Sequence, residues 1–260
     1  HIGAADQKLT CHVNDKRMLR ICRSRRIKST IKYSNHGCTR QGKNPYYLAD
    51  NLLNREFKAD KPNQKWLTDV TEFKYYIGID VKKVYLSAIL DLYDRYPVAY
   101  VIGSRNDNSL VFKTFDKALA SNSGAKPLFH SDRGFQYTSK VFQCKLQAQG
   151  MQQSMSRVGH CIDNGPAENF WSIVKSEMYY LNRFTDENSL RNAIAEYIMF
   201  YSTDRIQKRF MGKTPAEVRA EALSADTPLQ YPNKRTEIPG DGICLVQTNT
   251  DGQSPDSLSL

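Results

Sequence analysis

Hydrophobic residues gather first into three strand-like runs, Trp66–Tyr76, Val84–Tyr93 and Pro97–Ser104. The first two are rich in Thr, Val, Tyr, Ile and Leu, as half-buried strands are. Their connections, Ile77-Gly78-Ile79-Asp80 and Asp94-Arg95-Tyr96, are short enough for an antiparallel meander. The period then lengthens. Asn106 or Asp107 caps a helix running to about Asn122, with Leu110, Val111, Phe115, Ala118 and Leu119 on one face. A fourth strand follows at Lys126–His130, a helix at Thr138–Gln149 and a fifth strand at Met151–Met155. Asn164-Gly165-Pro166 opens a helix to about Tyr180, and Glu187 another to about Asp204 that buries Leu190, Ile194, Tyr197 and Ile198. Thr214-Pro215 starts a last short helix. Three antiparallel strands followed by alternating helices and strands describe an α/β fold, a mixed five-stranded sheet with helices on both faces.

The ends of the chain follow other rules. Asn14–Ile31 reads as a short basic helix with Met18, Leu19, Ile21, Cys22 and Ile27 among its Arg and Lys residues. Tyr33–Asp50 has no period and reads as a linker, and Asn51–Phe57 as one or two turns. Beyond Leu223 apolar residues thin out, which predicts a disordered, non-catalytic tail. The division expected is a basic helical arm and linker over 1–50, a core with C-terminal helices over 51–223, and a tail over 224–260.

Charge sharpens that division. The chain of 260 residues carries a formal charge of +10, and residues 1–65 hold fifteen Lys and Arg against five Asp and Glu. The remainder is neutral. A neutral body with a basic arm is the footprint of a polyanion binder, because phosphate contacts release counterions. The bland alternative is a solvated leader. No run of eighteen apolar residues exists, so no membrane span is expected, and no secretory leader is visible. The six cysteines form no C-x-x-C pair, which argues against a zinc ribbon or a disulfide framework and favours a reducing, cytoplasmic setting. His36 and Cys38 with Cys11, His12 or Cys22 match no common zinc finger spacing.

Within the core, three acids attract attention. Asp69 lies inside the first strand, Asp132 follows the fourth, and Glu168 falls in the first turn of a helix, thirty-five residues after Asp132. A buried unpaired carboxylate costs several kcal/mol, so something positive should compensate Asp69. Three carboxylates on separate elements suit hard divalent cations and a two-metal phosphoryl transfer on DNA. Lys175, seven residues after Glu168, shares its helix face and could reach a phosphate. Its bland reading is a solvated residue or a partner for Glu168 or Glu187.

The motifs Trp66-x-x-Asp69-Val70-Thr71, His130-Ser131-Asp132-Arg133-Gly134-x-Gln136-Tyr137 and Asp163-Asn164-x-x-x-Glu168-x-Phe170-x-x-x-x-Lys175-x-Glu177 resemble the catalytic core of insertion-sequence family 3 transposases, second reading frame (OrfB), which is similar to retroviral integrases. The resemblance spans about Val13 to Arg219. It implies an RNase H-like fold, a catalytic and metal-binding triad of Asp69, Asp132 and Glu168, two Mg²⁺ or Mn²⁺ ions, and DNA cleavage and strand transfer at element ends. Lys175 matches the family's DNA-contacting base. Tyr201-Ser202-Thr203-Asp204-Arg205 with Thr214-Pro215 resembles its C-terminal signature, with Ser202 where Asn is usual. Asn14–Ser29 resembles the end of its helix-turn-helix, a remnant that fits a start at His1 in place of Met.

The partners implied are element and target DNA, an oligomer on DNA and an upstream-frame product, in the cytoplasm and on the nucleoid. Arg23, Arg25, Arg26 and Arg133 are further candidate DNA contacts. Arg133 and Gln136 read equally as exposed loop residues. His130 reads as an orienting or packing group, Asp163 as a helix cap ahead of an extra acid, and Trp66 as core ahead of a base-stacking platform. The alternative function is a truncated, non-catalytic DNA-binding product that interferes with the full-length transposase.

Overall fold

The structure, a computed structural model, describes residues 14–27, 48–158 and 160–231. Helix α1 spans Asp15–Ser24, and Asn14 caps it by accepting from the Lys16 amide at 2.8 Å. It ends earlier than the expected Ile31, and residues 28–31 lie outside the described residues. The expected linker and the tail beyond residue 231 do so too, the linker except for its last residues, 48–50.

Five strands, β1 Lys65–Ile77, β2 Asp80–Asp91, β3 Pro97–Gly103, β4 Leu128–Ser131 and β5 Gln152–Met155, form one sheet in the order β3-β2-β1-β4-β5. The first three pair antiparallel, and β4 and β5 join them in parallel. The helices are α2 Asn108–Ser121, α3 Lys140–Ala148, α4 Gly165–Glu177, α5 Glu187–Thr203 and α6 Pro215–Ser224.

Successive strand residues point to opposite faces, and β2 shows both being used. Its Val84, Leu86, Ala88 and Leu90 pack with Phe73 and Tyr75 of β1 against Phe170 and Val174 of α4 and Leu190, Ile194 and Ile198 of α5. Ile89 turns the other way, joining Trp66, Phe129 and Met155 under Val111 and Phe115 of α2 and Phe142 of α3. Trp66 is therefore core, as read. Caps set the helix starts: Asp107 accepts from the Leu110 amide at 3.0 Å, Asp186 from Ser189 at 2.8 Å, and Thr214 forms a reciprocal capping box with Glu217.

Asn51–Phe57 makes a single turn, within the one or two expected, with Asn54 and Arg55 at positive φ and the Leu53 amide donating to Ser154 Oγ at 3.0 Å. One expectation changes. The tail expected from residue 224 stays attached further on. Tyr93 donates its hydroxyl to the Leu229 carbonyl at 2.8 Å, and the Tyr231 ring meets Phe210 edge-on at 5.2 Å.

Arg219 of α6 fastens the base of this body. Its guanidinium reaches Asp91 at 3.1 Å, Asp94 at 2.9 Å, Asn63 at 2.8 Å and Asn122 at 2.9 Å, and both carboxylates are buried. Truncating one partner of such a group strands the others without solvent, at a cost of about 3–5 kcal/mol. Arg219→Ala should lower the urea midpoint accordingly, and a change below about 1 kcal/mol would mean that water replaces the guanidinium.

Candidate active site

Strand β1 pairs with β4 only over Lys65–Leu67, against Leu128–His130. Continuing that register by two residues sets Asp69 beside Asp132, which directly follows Ser131, the last residue of β4. Parallel strands run about 4.8 Å apart, and where their carboxyl ends part an open α/β sheet leaves a crevice. Both aspartates stand at that parting. Asp69 is held by two donors, the Val70 amide on Oδ1 at 2.8 Å and the Trp171 indole on Oδ2 at 3.0 Å. Asp132 Oδ1 accepts from the Gly134 amide at 2.9 Å. A Cβ at Gly134 would lie 3.0 Å from both Asp132 Oδ1 and Gln136 Oε1, so the turn fits closely around the absence of a side chain.

Glu168 sits exposed in the first turn of α4, three residues before Trp171. Residues so spaced are neighbours on a helix, so the bond that ties α4 to β1 also carries Glu168 towards the aspartates. Gly165 and Pro166 start α4, and its N-terminal amides favour an anion there.

The charges feel one another. Burial, then the charge of Asp132 and last that of Glu168 push the Asp69 carboxyl up to about 8, against the pull of its two donors. Burial raises Glu168 as well. The Lys175 ammonium is lowered by burial and supported by the charges of Asp69 and Glu72, and it lies 5.5 Å from the centre of the Phe73 ring. Beneath the acids the Tyr137 hydroxyl, 3.3 Å from Thr68 Oγ1, is pushed up by burial and by Asp132 and Asp69. Negative charge thus outweighs positive here, and all the acidic donors are oxygens. That donor set fits a hard divalent cation, which would let Asp69 ionise. Among the described residues, however, no three His, Cys, Asp or Glu side chains are grouped as a finished metal cage.

The loop between β5 and α4 is fixed by Asp163. Its buried carboxylate takes Arg157 Nε at 2.8 Å and Nη2 at 2.9 Å, the Arg157 amide at 3.1 Å, Arg55 Nε at 2.6 Å and Asn51 Nδ2 at 3.0 Å. Asp163 is therefore an ion-pair hub, not the expected helix cap, since two arginines outcompete the few backbone amides within its reach. His130 is enclosed between Ser154 Oγ at 2.8 Å and Ser156 Oγ at 3.1 Å, and burial brings it down to about 4, so it packs as a neutral ring.

Comparison with known proteins fits this geometry. The integrase core domain family matches residues 59–161, and a second integrase core domain model matches 168–235. A transposase-like protein of Haemophilus influenzae is 38% identical over 218 residues, covering 83% of this chain and 97% of its own. A protein of Escherichia coli K12 named as the InsK transposase of insertion element IS150 is 36% identical over 208 residues, 80% and 71% of the two chains. The chain belongs to the insertion-sequence family 3 transposases. Their core is of the retroviral integrase type, and one solved integrase structure shares its fold: a chain of the simian T-cell lymphotropic virus intasome, at 18% identity, matches with a TM-score of 0.55 over 80% of this chain and 68% of its own. The RNase H-like, mixed five-stranded fold expected from the motifs is the fold observed. No described helix is long and apolar enough to cross a membrane.

In this transposase core the other candidates scatter. Arg23, Arg25 and Arg26 are exposed at the end of α1. Arg133 is half-buried and donates from Nε to the Ser156 carbonyl at 2.7 Å. Gln136 is buried and bonded to Asn106, not an exposed loop residue, because the turn folds it under Gly134. Lys175 is half-buried, not the solvated residue of the bland reading, and the Glu187 carboxylate is taken by Arg191 and Tyr75. Ser202 donates to the Ile198 carbonyl within its own helix at 2.7 Å. The bond from Trp171 to Asp69 leaves no direct mark in the sequence, where one tryptophan beside a glutamate looks like any core residue. Its spacing of three from Glu168 was the available signal.

Asp163 gives a test of how the start of α4 is held. Arg157 above all keeps its carboxyl well below the ordinary range despite burial. A carboxylate depressed in the folded state stabilises above its unfolded pKa of 3.8 and loses that contribution as pH falls below it. Asp163→Asn should cost about 3–5 kcal/mol at neutral pH. Between about pH 5 and pH 2 its urea midpoint should also fall less than that of the unsubstituted chain. Parallel acid profiles would show that the pairing adds nothing.

Proposed function

We propose that this chain cuts and joins DNA at insertion-sequence ends, with Asp69, Asp132 and Glu168 as its catalytic and metal-binding carboxylates. The observation that carries the reading is the register that sets Asp69 beside Asp132 where β1 and β4 part, with Trp171 tying the Glu168 helix to Asp69. Two Mg²⁺ or Mn²⁺ ions, when bound, would supply Lewis-acid activation of the attacking oxygen and neutralise charge at the phosphate. Asp69, braced by the Val70 amide and the Trp171 indole, offers fixed oxygens between strand and helix. Asp132 is oriented by the Gly134 amide, and Glu168 closes the site from α4.

The chemistry runs in two transfers. Water attacks the phosphodiester at an element end and releases a 3′-hydroxyl. That hydroxyl then attacks a target phosphodiester and displaces another 3′-oxygen, so no covalent enzyme intermediate is needed. Positioning and charge stabilisation carry most of the acceleration. Lys175 and Arg133 would contact phosphates beside the acids, and Arg23, Arg25 and Arg26 would hold DNA from the arm. Joining two ends calls for an oligomer on DNA, and the structural neighbour is itself part of an intasome. An upstream-frame product is a further expected partner, in the cytoplasm and on the nucleoid.

Asp69→Asn, Asp132→Asn and Glu168→Gln should each abolish cleavage of an end-containing duplex and joining of a pre-cleaved end, while salt-dependent binding persists. Strand transfer by any of the three purified variants would exclude the assignment. Trp171→Phe keeps an aromatic side chain, smaller than indole, and loses the indole N–H. Because a residue that orients a ligand is worth about 10–100-fold in metal affinity or rate, this variant should need more Mg²⁺ for half-maximal activity and recover part of it at saturation. An unchanged Mg²⁺ requirement would assign Trp171 to packing alone.

A further inference from the structure

At the other end of β1 the Leu92 amide donates to the Lys65 carbonyl, which places the β2–β3 turn four residues, or about 13 Å, from Asp69. A cavity opens there between that turn and the Lys208–Phe210 turn, lined by Arg95, Arg209, Lys58, Tyr93, Phe210 and Tyr231 among others, with no acidic side chain in its wall. Arg95 is 7% exposed. Its Nη2 donates to the Phe57 carbonyl at 2.9 Å, but buried Nε and Nη1 have no hydrogen-bond partner. The neighbouring acids are engaged elsewhere, since Arg219 takes Asp91 and Asp94.

Three costs meet at this residue. A buried guanidinium with donors unmet costs several kcal/mol. Its backbone is left-handed, at φ 59, which a side chain rarely adopts. A second guanidinium, Arg209, repels it: burial first and then Arg209 bring Arg95 down to about 9. An oxyanion between the two arginines would meet the free donors and turn repulsion into shared attraction.

We infer that this cavity is an oxyanion site of phosphate class, built on Arg95 and Arg209 with Lys58 at its mouth. Several acceptor oxygens on one small anion suit donors that converge from different elements. The source is either free phosphate or a backbone phosphate of DNA. Only the second option rests on the proposed function.

The test is titration of the full chain with inorganic phosphate at constant ionic strength, read by ³¹P line broadening and by thermal unfolding. The unsubstituted chain should show saturable binding that raises its unfolding temperature. Arg95→Gln risks misfolding, so Arg209→Gln carries the test. It should bind phosphate at least about tenfold more weakly, the loss expected for one charge-assisted hydrogen bond. Lys113→Gln, on the exposed side of α2, should bind as before. A short DNA duplex that displaces the phosphate signal identifies a backbone phosphate, and one that leaves it intact identifies the free ion. Absence of saturable binding, equal binding by Arg209→Gln, or equal loss in Lys113→Gln overturns the site. None of these readouts uses cleavage, so they stand apart from the catalytic carboxylates.

Discussion

Like charges repel, and this fold keeps two half-buried aspartates side by side at the parting of β1 and β4. The sheet imposes that proximity through register, since Leu67 pairs with His130 and the acids follow two residues later on each strand. Repulsion appears as the raised Asp69 carboxyl, with Asp132 the second cause after burial. The strands are held against relaxing apart, because β1 is locked into a core on both faces, by Trp66 beneath α2 and α3 and by Phe73 and Tyr75 beneath α4 and α5, while Phe129 fastens β4 into the first of these.

The third acid depends on the same constraint. Helix α4 is anchored by its indole at Asp69, by the Asp163 hub just before its first residue, and by Glu177 at its last. There Arg205 grips Glu177 at 2.8 and 2.6 Å, while the Tyr197 hydroxyl adds a bond at 2.7 Å. Glu168 itself needs little direct support. Fixing the helix at three points limits where its first turn can point, and Tyr197 of α5 helps hold the far end.

How much of this was legible in the chain varies with the range of the interaction. Strand and helix existence followed from local patterning, so β1, α2 and α5 lie within a few residues of their expected bounds. Element ends were less legible because capping chooses among neighbours, as at Asp107 over Asn106. Side-chain partners more than a hundred residues apart left almost no trace. Asp163 meets Arg55, Asn51 meets Asp163, and Trp171 meets Asp69 only after the sheet has closed. The acids were visible through their motifs, while the groups that orient them were not. Gln136 shows the reverse error, a polar residue read as exposed because polarity is a poor guide once a hydrogen-bond partner such as Asn106 is at hand.

Charge counted along a chain also differs from charge available to a ligand. The body beyond residue 65 is neutral by composition, yet many of its cations are spent internally. Arg157, Arg205 and Arg219 are bonded to Asp163, Glu177, Asp91 and Asp94. Buried or bridged charges contribute little long-range field, since each carries its counter-charge with it. The cations of α1, by contrast, stand exposed. Salt dependence of DNA binding should therefore come mainly from the arm. The body would add only a few short-range contacts near the acids.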